Sequence, residues 1–284
     1  MIKKKVLVTG AGGYIGRHVV KTLLDMDMEV IAVDLNIDKI DKRSQIINYD
    51  IFNSAKDVYT ELGRPDICLH LAWRDGFKHN SVSHINYLPK HFEFAQNLIA
   101  GGLTHFVALG SMHEIGYFEG AIDEKTPTNP RSLYGIAKNS LRQSLEVLKE
   151  SNNFVFQWLR AYYIYGDDSS NNSIFTKILE ASKNNAKMFP FTKGVNKYDF
   201  IEVEELAKQI SATILQTEIT GIINCCTGTP IMLKDIVEKY IEKNNLNISL
   251  EYGVYPERSY DSPATWGNND KITTILKKYE NISK

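Results

Sequence analysis

Between Val6 and Leu159, short apolar runs alternate with longer stretches whose apolar residues recur at helical spacing. Val6–Val8, Glu29–Val33, Ile46–Asp50, Ile67–Leu71, His105–Leu109 and Phe154–Leu159 are brief and rich in Val, Ile, Leu and Phe, and each reads as a strand. After the first run, Ile15, Val19, Val20, Leu23 and Leu24 fall on one side of a helix. Further helices are expected at Asn53–Leu62, with Asn53 as cap, from about Ser83 to Ala100, and from about Arg131 to Lys149. This alternation predicts an α/β chain, a doubly wound parallel sheet covered on both faces. Beyond Leu159 the pattern loosens. A polar loop at Gly166–Asn172 leads to expected helices near Ile174–Lys183, Val203–Leu215 and Leu233–Ile241, a short Phe189–Phe191 segment and a strand at Ile222–Cys225.

The turn after the first strand carries four glycines, Gly10, Gly12, Gly13 and Gly16. Their spacing with Thr9 is T-G-x-x-G-x-x-G, and a G-x-G-x-x-G frame begun at Gly10 fails at Ile15. Strand, glycine turn and helix together form a cradle for a pyrophosphate, because the backbone can approach the phosphates and the helix N-terminus offers free N–H groups. The cofactor contacts expected here are Gly10, Gly13, Tyr14, Ile15 and Gly16. Glycines kept only for close packing are the plainer reading of such a turn. The second expected strand ends on Asp34, where a carboxylate can bind both adenosine ribose hydroxyls and repel a 2′-phosphate. That favours NAD over NADP, with Lys39, Lys42 and Arg43 downstream able to soften the preference. The expected division is a Rossmann-type dinucleotide-binding domain from 1–166 plus 198–227, and a smaller α+β substrate lobe from 167–197 plus 228–284.

Composition narrows the class without naming it. The 284 residues are 43% hydrophobic and 24% charged with a net charge of −1, so neither nucleic acid nor an acidic membrane surface is an expected partner. No apolar run is long enough to span a bilayer, and MIKKKVLVTG enters a strand without a signal-peptide core. Three cysteines in no framework imply reduced thiols and a cytoplasmic protein. The seven histidines show no metal-ligand spacing, so no metal is expected.

The chemistry gathers at strand ends. Ser111 closes the fifth strand. Tyr134 and Lys138 lie four apart, on one face of the following helix. An ammonium beside a phenol favours phenolate, and a bound nicotinamide cation would push the same way. A phenol so tuned exchanges a proton with an alcohol or carbonyl oxygen near neutral pH. Ser111 would hold that oxygen by a hydrogen bond while hydride passes between substrate carbon and nicotinamide. Y-x-x-x-K alone is usually a surface pair; the glycine turn and Ser111 give this one its weight.

With these residues in place, the chain resembles the extended short-chain dehydrogenase/reductases of the nucleotide-sugar epimerase/dehydratase/reductase group. The likeness runs through T-G-x-x-G-x-x-G, Asp34, Asp50-Ile51 at the adenine, and His70-Leu71-Ala72 beside the cofactor. It continues through Asn86, Asp123-Glu124, Thr126-Pro127, Pro130, Arg160 to Gly166, and Tyr198–Ile201 in place of R-D-F-I. The resemblance implies cofactor contacts from Asp50, Ile51, Leu71, Ala72, Trp73, Tyr134 and Lys138, and a helix-steadying role for Asn86. It also implies substrate contacts near Met112, His113, Tyr163, Asn172 and Arg258, and a homodimer built on the helices at about 83–100 and 131–149.

The departures shape the expected reaction. Family 4,6-dehydratases carry Asp and Glu directly after the catalytic hydroxyl, where this chain has Met112 and His113, so dehydration is not expected. Tyr163 and Tyr198 replace an asparagine and an arginine of the family pattern. The chain is short beside typical 4-epimerases. The expected activity is reduction of an NDP-4-keto-6-deoxyhexose with NAD(P)H, as in deoxysugar supply for surface polysaccharides. A 4-epimerase with tightly held NAD, and a non-catalytic NAD-binding regulator or scaffold, are the alternatives. His113 reads as a substrate contact or an extra acid, and at least as well as a hydrogen-bonded loop histidine; Trp73 reads as ligand contact or packing, and Arg74 as phosphate contact or, more readily, solvated rim charge. Of Tyr162 and Tyr163, one is expected to pack and one to face substrate. Asn171, Asn172 and Lys193 are sugar or phosphate contacts only if their loops reach the cleft.

Overall fold

The computed structural model describes residues 3–166, 173–256 and 261–282. In chain order the elements are β1 (Lys5–Thr9), α1 (Gly16–Asp25), β2 (Glu29–Asp34), β3 (Gln45–Asn48), α2 (Val58–Glu61), β4 (Ile67–His70), α3 (Ser83–Gly101) and β5 (His105–Ser111). There follow β6 (Gly120–Ile122), α4 (Leu133–Glu150), β7 (Val155–Ala161), β8 (Tyr163–Tyr165), α5 (Ile174–Lys183), β9 (Met188–Pro190) and β10 (Lys197–Glu202). The chain closes with α6 (Val203–Ile214), β11 (Gly221–Cys225), β12 (Pro230–Met232), α7 (Leu233–Lys243), β13 (Ser249–Glu251), β14 (Ala264–Gly267) and α8 (Asp270–Ile282).

Seven strands form one parallel sheet in the order β11-β7-β5-β4-β1-β2-β3. Two apolar layers cover it. Val6, Val8, Val19, Leu23, Leu206 and Ile210 pack on one face; Leu7, Phe94, Leu98, Phe106, Leu141 and Trp158 pack on the other. Side chains alternate across each strand, so Val6 and Val8 serve one layer and Leu7 the other. The strand order reverses between β1 and β4, which opens a crevice beyond the C-terminal ends of Thr9, Asp34, His70 and Ser111. The expected doubly wound parallel sheet is thus observed. A second sheet, β12-β10-β14-β6 with β8 beside β10, faces that crevice, and β13 pairs β9 apart from both.

Three local expectations are corrected. The helix expected from Asn53 to Leu62 shrinks to α2, because the Asp50 carboxylate accepts from the Phe52 N–H at 3.1 Å and starts a separate 3-10 turn at Ile51–Asn53. Of the segment expected to rejoin the main sheet, α6 and β11 do so, whereas β10 lies in the second sheet. The reason is the buried carboxylate of Asp199. It accepts from Thr227 N (2.9 Å), Thr227 Oγ1 (2.7 Å), Gly228 N (2.9 Å) and Gly267 N (3.2 Å), tying β10 to the turn after β11 and to β14. Finally, α8 does not pack with a substrate lobe. Ile272 and Ile275 are buried in the same cluster as Val6, Val8 and Leu206.

Candidate active site

The crevice widens into a cavity of about 750 Å³. Its first wall is backbone. Gly10 has φ +69°, and a Cβ there would lie 2.6 Å from the Ala72 nitrogen. A Cβ on Gly12 would lie 2.0 Å from the Asn36 carbonyl oxygen. Only glycine fits either position, and the turn joining β1 to α1 brings the backbone of Gly10, Gly13 and Gly16 to the cavity. The N-cap of α1, Ile15, makes no side-chain cap hydrogen bond, so no side chain of the cap stands between the helix start and the cavity. Asp34 ends β2 with its carboxylate held by the N–H groups of Gly12 (2.9 Å) and Asn36 (3.1 Å). Gly13, Tyr14, Ile15 and Gly16 line the same wall, as do Asp50, Ile51, Leu71 and Ala72. These residues fit a dinucleotide: an open cradle for the diphosphate, a fixed carboxylate at one end and an apolar slot beyond it. Arg74 borders that slot as a rim charge, its guanidinium 4.5 Å from the Tyr87 ring centroid and 5.2 Å from that of Phe52.

The opposite wall is made of side chains. Ser132 caps α4 by accepting from Gly135 N at 3.1 Å, and the His79 carbonyl accepts the Tyr134 N–H at 2.8 Å. The helix therefore begins with Tyr134 turned toward the cavity and Lys138 one turn deeper. Asn86 is exposed on α3, so the brace on α4 comes from the loop before α3 and not from that asparagine. At the end of β5 the Ser111 hydroxyl accepts from His113 N at 3.3 Å, which leaves its own proton to donate. Ser111, Tyr134 and Lys138 all line the cavity, and Ser111 is a hydrogen-bond partner of the phenol.

Beneath Ser111 lies Glu114, fully buried. Its carboxylate accepts from Ser111 N at 2.6 Å and from Trp158 Nε1 at 2.9 and 3.0 Å. Arg160 Nη2 and Arg142 Nε approach it at 3.6 and 3.9 Å. Glu114 is thus a structural anion under the site, closed off from substrate.

The electrostatics differ from those expected of a Y-x-x-x-K pair. The Lys138 amine donates to the Leu109 carbonyl at 2.6 Å and lies 3.8 Å over the Trp73 ring, 5.9 Å from the Tyr134 centroid. Burial pushes the Tyr134 phenol well above its ordinary value, and its bond with Ser111 pulls the other way. Burial likewise draws Lys138 down to about 7, while the Glu114 carboxylate raises it. Desolvation, not the amine, dominates the phenol in this structure.

Trp73 is both packing and wall. It stacks on His91 at 4.3 Å, donates to His84 Nδ1 at 3.0 Å and lines the cavity. His113 and Tyr163 also line it. Tyr162 packs with Met112, Ile122 and Cys226 and is the more buried of the pair, but it lines the cavity as Tyr163 does, so the expected division between a packing and a facing tyrosine is not observed. Met112 is a correction: only 6% exposed, it belongs to that small core and does not reach the cavity. Lys193 is exposed and does not line the cavity. Asn171, Asn172 and Arg258 lie outside the described residues. Sequence reasoning missed Phe77, His79, Phe175 and Leu233 on the wall. His79 lies a few residues beyond the H-L-A segment, which was the one sequence signal available; its contact with Tyr134 joins distant stretches of the chain. No cluster of metal-ligating side chains occurs among the described residues, and no helix there is long and apolar enough to cross a membrane.

A dinucleotide cradle facing a serine, a tyrosine and a buried lysine defines an NAD-binding enzyme of the short-chain dehydrogenase type. The chain belongs to the NAD dependent epimerase/dehydratase family, whose profile matches residues 6–226. It is 44% identical over 270 residues to the dTDP-6-deoxy-L-talose 4-dehydrogenase (NAD(+)) of Aggregatibacter actinomycetemcomitans, covering 92% of this chain and 98% of that protein. Among solved structures it is similar to the UDP-N-acetylglucosamine 4-epimerase of Methanobrevibacter ruminantium M1 in complex with UDP-N-acetylmuramic acid. That match has a TM-score of 0.83 and 22% identity, covering 97% of this chain and 92% of the other. MoeE5 in complex with UDP-glucuronic acid and NAD gives a TM-score of 0.81 at 20% identity over 96% and 92% of the two chains.

Proposed function

We propose that this protein is an NAD-dependent oxidoreductase that moves a hydride to or from C4 of a nucleotide-activated 6-deoxyhexose, as a 4-ketoreductase or, in reverse, a 4-dehydrogenase. The observation that carries the reading is the meeting of Ser111, Tyr134 and Lys138 in one cavity with the glycine turn and Asp34. The relative named as a dTDP-6-deoxy-L-talose 4-dehydrogenase supports the substrate class. In this reading the turn from Gly10 to Gly16 holds the diphosphate, Asp34 the adenosine ribose, and Asp50 and Ile51 the adenine end. When bound, the nicotinamide supplies or accepts the hydride. Ser111 donates a hydrogen bond to the C4 oxygen, and Tyr134 gives that oxygen a proton or takes one from it. Lys138 sets an amine that titrates near neutral pH beneath the site, and the aromatic wall excludes water from it.

The division into a dinucleotide-binding domain and a substrate lobe belongs to the same reading, with α8 reassigned to the first. A homodimer through α3 and α4 is supported by Ile85, Ile136 and Val147, which those helices leave exposed. A cytoplasmic location is supported by three free, buried cysteines.

The test is a panel of NDP-4-keto-6-deoxyhexoses followed by NADH oxidation, with dTDP-6-deoxy-L-talose and NAD⁺ as the reverse arm. Turnover in either direction is expected. A 4-epimerase would instead retain NAD through purification and interconvert 4-epimers without net cofactor change. A silent binder would take up NADH and consume none with any sugar.

A further inference from the structure

Seven histidines are present in the chain, and most are tied to protein partners. His70 bonds Thr9 Oγ1 at 2.9 Å and His91 Nδ1 at 2.8 Å; His84 bonds Trp73 Nε1 and the Lys78 carbonyl, both at 3.0 Å; His105 bonds Gln157 Oε1 at 2.9 Å. His79 and His113 differ. Neither imidazole makes a hydrogen bond among the described residues, and both line the cavity. Their ring centroids are 4.3 Å apart. The His79 ring lies parallel to that of Tyr134 at 5.2 Å and 11°, and the His113 ring is 6.1 Å from Tyr134 on the side of Tyr163. The loop that carries His79 is fixed. Its carbonyl holds Tyr134 N, and Asp75 accepts from the hydroxyls of Ser81 and Ser83 at 2.9 and 2.8 Å.

His79 and His113 are half-buried, and their ring nitrogens are not among the buried, unsatisfied atoms of the described residues, so they are open at the cavity wall to a donor or acceptor of a bound ligand. Their place beside the phenol says which ligand atom they meet. In a 6-deoxyhexopyranose, C4 is flanked by C5, which carries the methyl group, and by C3, which carries a hydroxyl. The polar group next to the reacting oxygen is therefore O3.

Resting on the oxidoreductase reading above, we propose that His79 and His113 form an imidazole pair that binds the sugar's 3-hydroxyl and makes the enzyme selective for hexoses that retain it. A neutral imidazole both donates and accepts, and so matches a hydroxyl from either side. Burial holds both rings below the ordinary histidine range, His113 at about 3, so they are neutral at physiological pH. The two rings divide the hydroxyl's donor and acceptor roles between them.

The experiment compares dTDP-6-deoxy-L-talose with its 3-deoxy analogue, in the wild-type protein and in His79→Ala, His113→Ala and His79→Asn. The wild type is expected to favour the 3-hydroxy sugar in kcat/KM by roughly 100-fold, since a site built to bond a hydroxyl rejects the analogue lacking it. Each alanine variant is expected to lose about tenfold on the 3-hydroxy sugar, mainly through KM, and little on the analogue. His79→Asn, which keeps a donor and an acceptor, should recover part of the loss. NADH binding, followed by fluorescence titration, should be unchanged in all three. Equal losses on both sugars would mean that His79 only positions Tyr134, and would overturn the inference while leaving the oxidoreductase reading intact. Unaltered preference in both alanine variants would overturn it too. A wild-type protein that turns over neither sugar nor any member of the ketosugar panel would overturn the oxidoreductase reading and this inference together.

Discussion

The two walls of the cavity are built from different materials. On the diphosphate side the functional surface is backbone: a turn in which Gly10 and Gly12 admit no Cβ, an uncapped helix start, and one carboxylate fixed by two amides. On the sugar side it is side chain. A phenol, a hydroxyl and a buried amine are surrounded by Trp73 and His79 from the loop before α3, His113 from the turn after β5, and Tyr163 from β8. A backbone site tolerates almost no change, because any added atom meets main chain. A side-chain site can be redrawn residue by residue, which is how one fold serves many sugars.

Breaking each wall separately sharpens the contrast. Gly10→Ala places a Cβ 2.6 Å from the Ala72 nitrogen at φ +69°, and should abolish NADH binding measured by fluorescence titration. Tyr134→Phe should do the opposite. It leaves NADH binding near the wild-type value and lowers turnover by roughly 10²–10⁴-fold, the usual worth of a positioned acid–base group. Turnover close to wild type in that variant would remove Tyr134 from the chemistry.

The side-chain wall also has a foundation that can be tested. Glu114 is buried among Arg142, Arg160, Trp158 and the Ser111 amide, so Glu114→Ala strands the buried Arg160 guanidinium without its anion, whereas Arg142 keeps Glu146 at 2.7 Å. A loss of about 3–5 kcal/mol in urea-unfolding free energy is expected. Glu114→Gln, which keeps the acceptor for Ser111 and Trp158, should lose less.

A third effect comes from histidines held neutral by the frame. Burial draws His70 to about 3 and His105 to about 4, both below their value in an unfolded chain of about 6.5. Between those limits the unfolded chain binds more protons, so stability is full above about pH 6.5 and falls as the pH drops toward 4. Thermal melts across that range should show the decline. His105→Gln, which keeps a polar partner for Gln157, should make it shallower.

The same contrast explains what could be read before the fold was known. The strands of the main sheet and the glycine turn were legible because each is a local pattern: an apolar run, or a spacing that only a turn requires. Ser111, Tyr134 and Lys138 were legible through one helical repeat and one strand end. His79 was not, because its role arises from a loop laid across the start of α4, a contact between distant stretches. Met112 was misread for the converse reason. It neighbours a functional serine in sequence, yet the 3-10 turn closed by Glu114 directs it into a small core with Ile122 and Tyr162. The second sheet went unread because β6 and β12 have only three residues each, and because Asp199 ties β10 to the turn after β11 and to β14 through contacts far apart in the chain.

Asp34 is where the two kinds of wall meet, a single side chain on the backbone-built side, and its substitution should give the smallest change. Its carboxylate is oriented by the amides of Gly12 and Asn36, and in the proposed function it would meet the ribose edge and set a negative charge against a 2′-phosphate. Asp34→Ala removes both the acceptor for the ribose hydroxyls and the repulsion. NADH should bind more weakly and NADPH more tightly. The ratio of kcat/KM for the two should shift by about tenfold toward NADPH, which corresponds to about 1.4 kcal/mol. ADP carries the same adenosine ribose, so its binding should weaken in parallel with that of NADH, while inorganic pyrophosphate, which meets only the untouched glycine turn, should bind as before. A parent protein that already prefers NADPH would show that the carboxylate does not choose the cofactor. The backbone wall would then bind dinucleotides without discriminating between them.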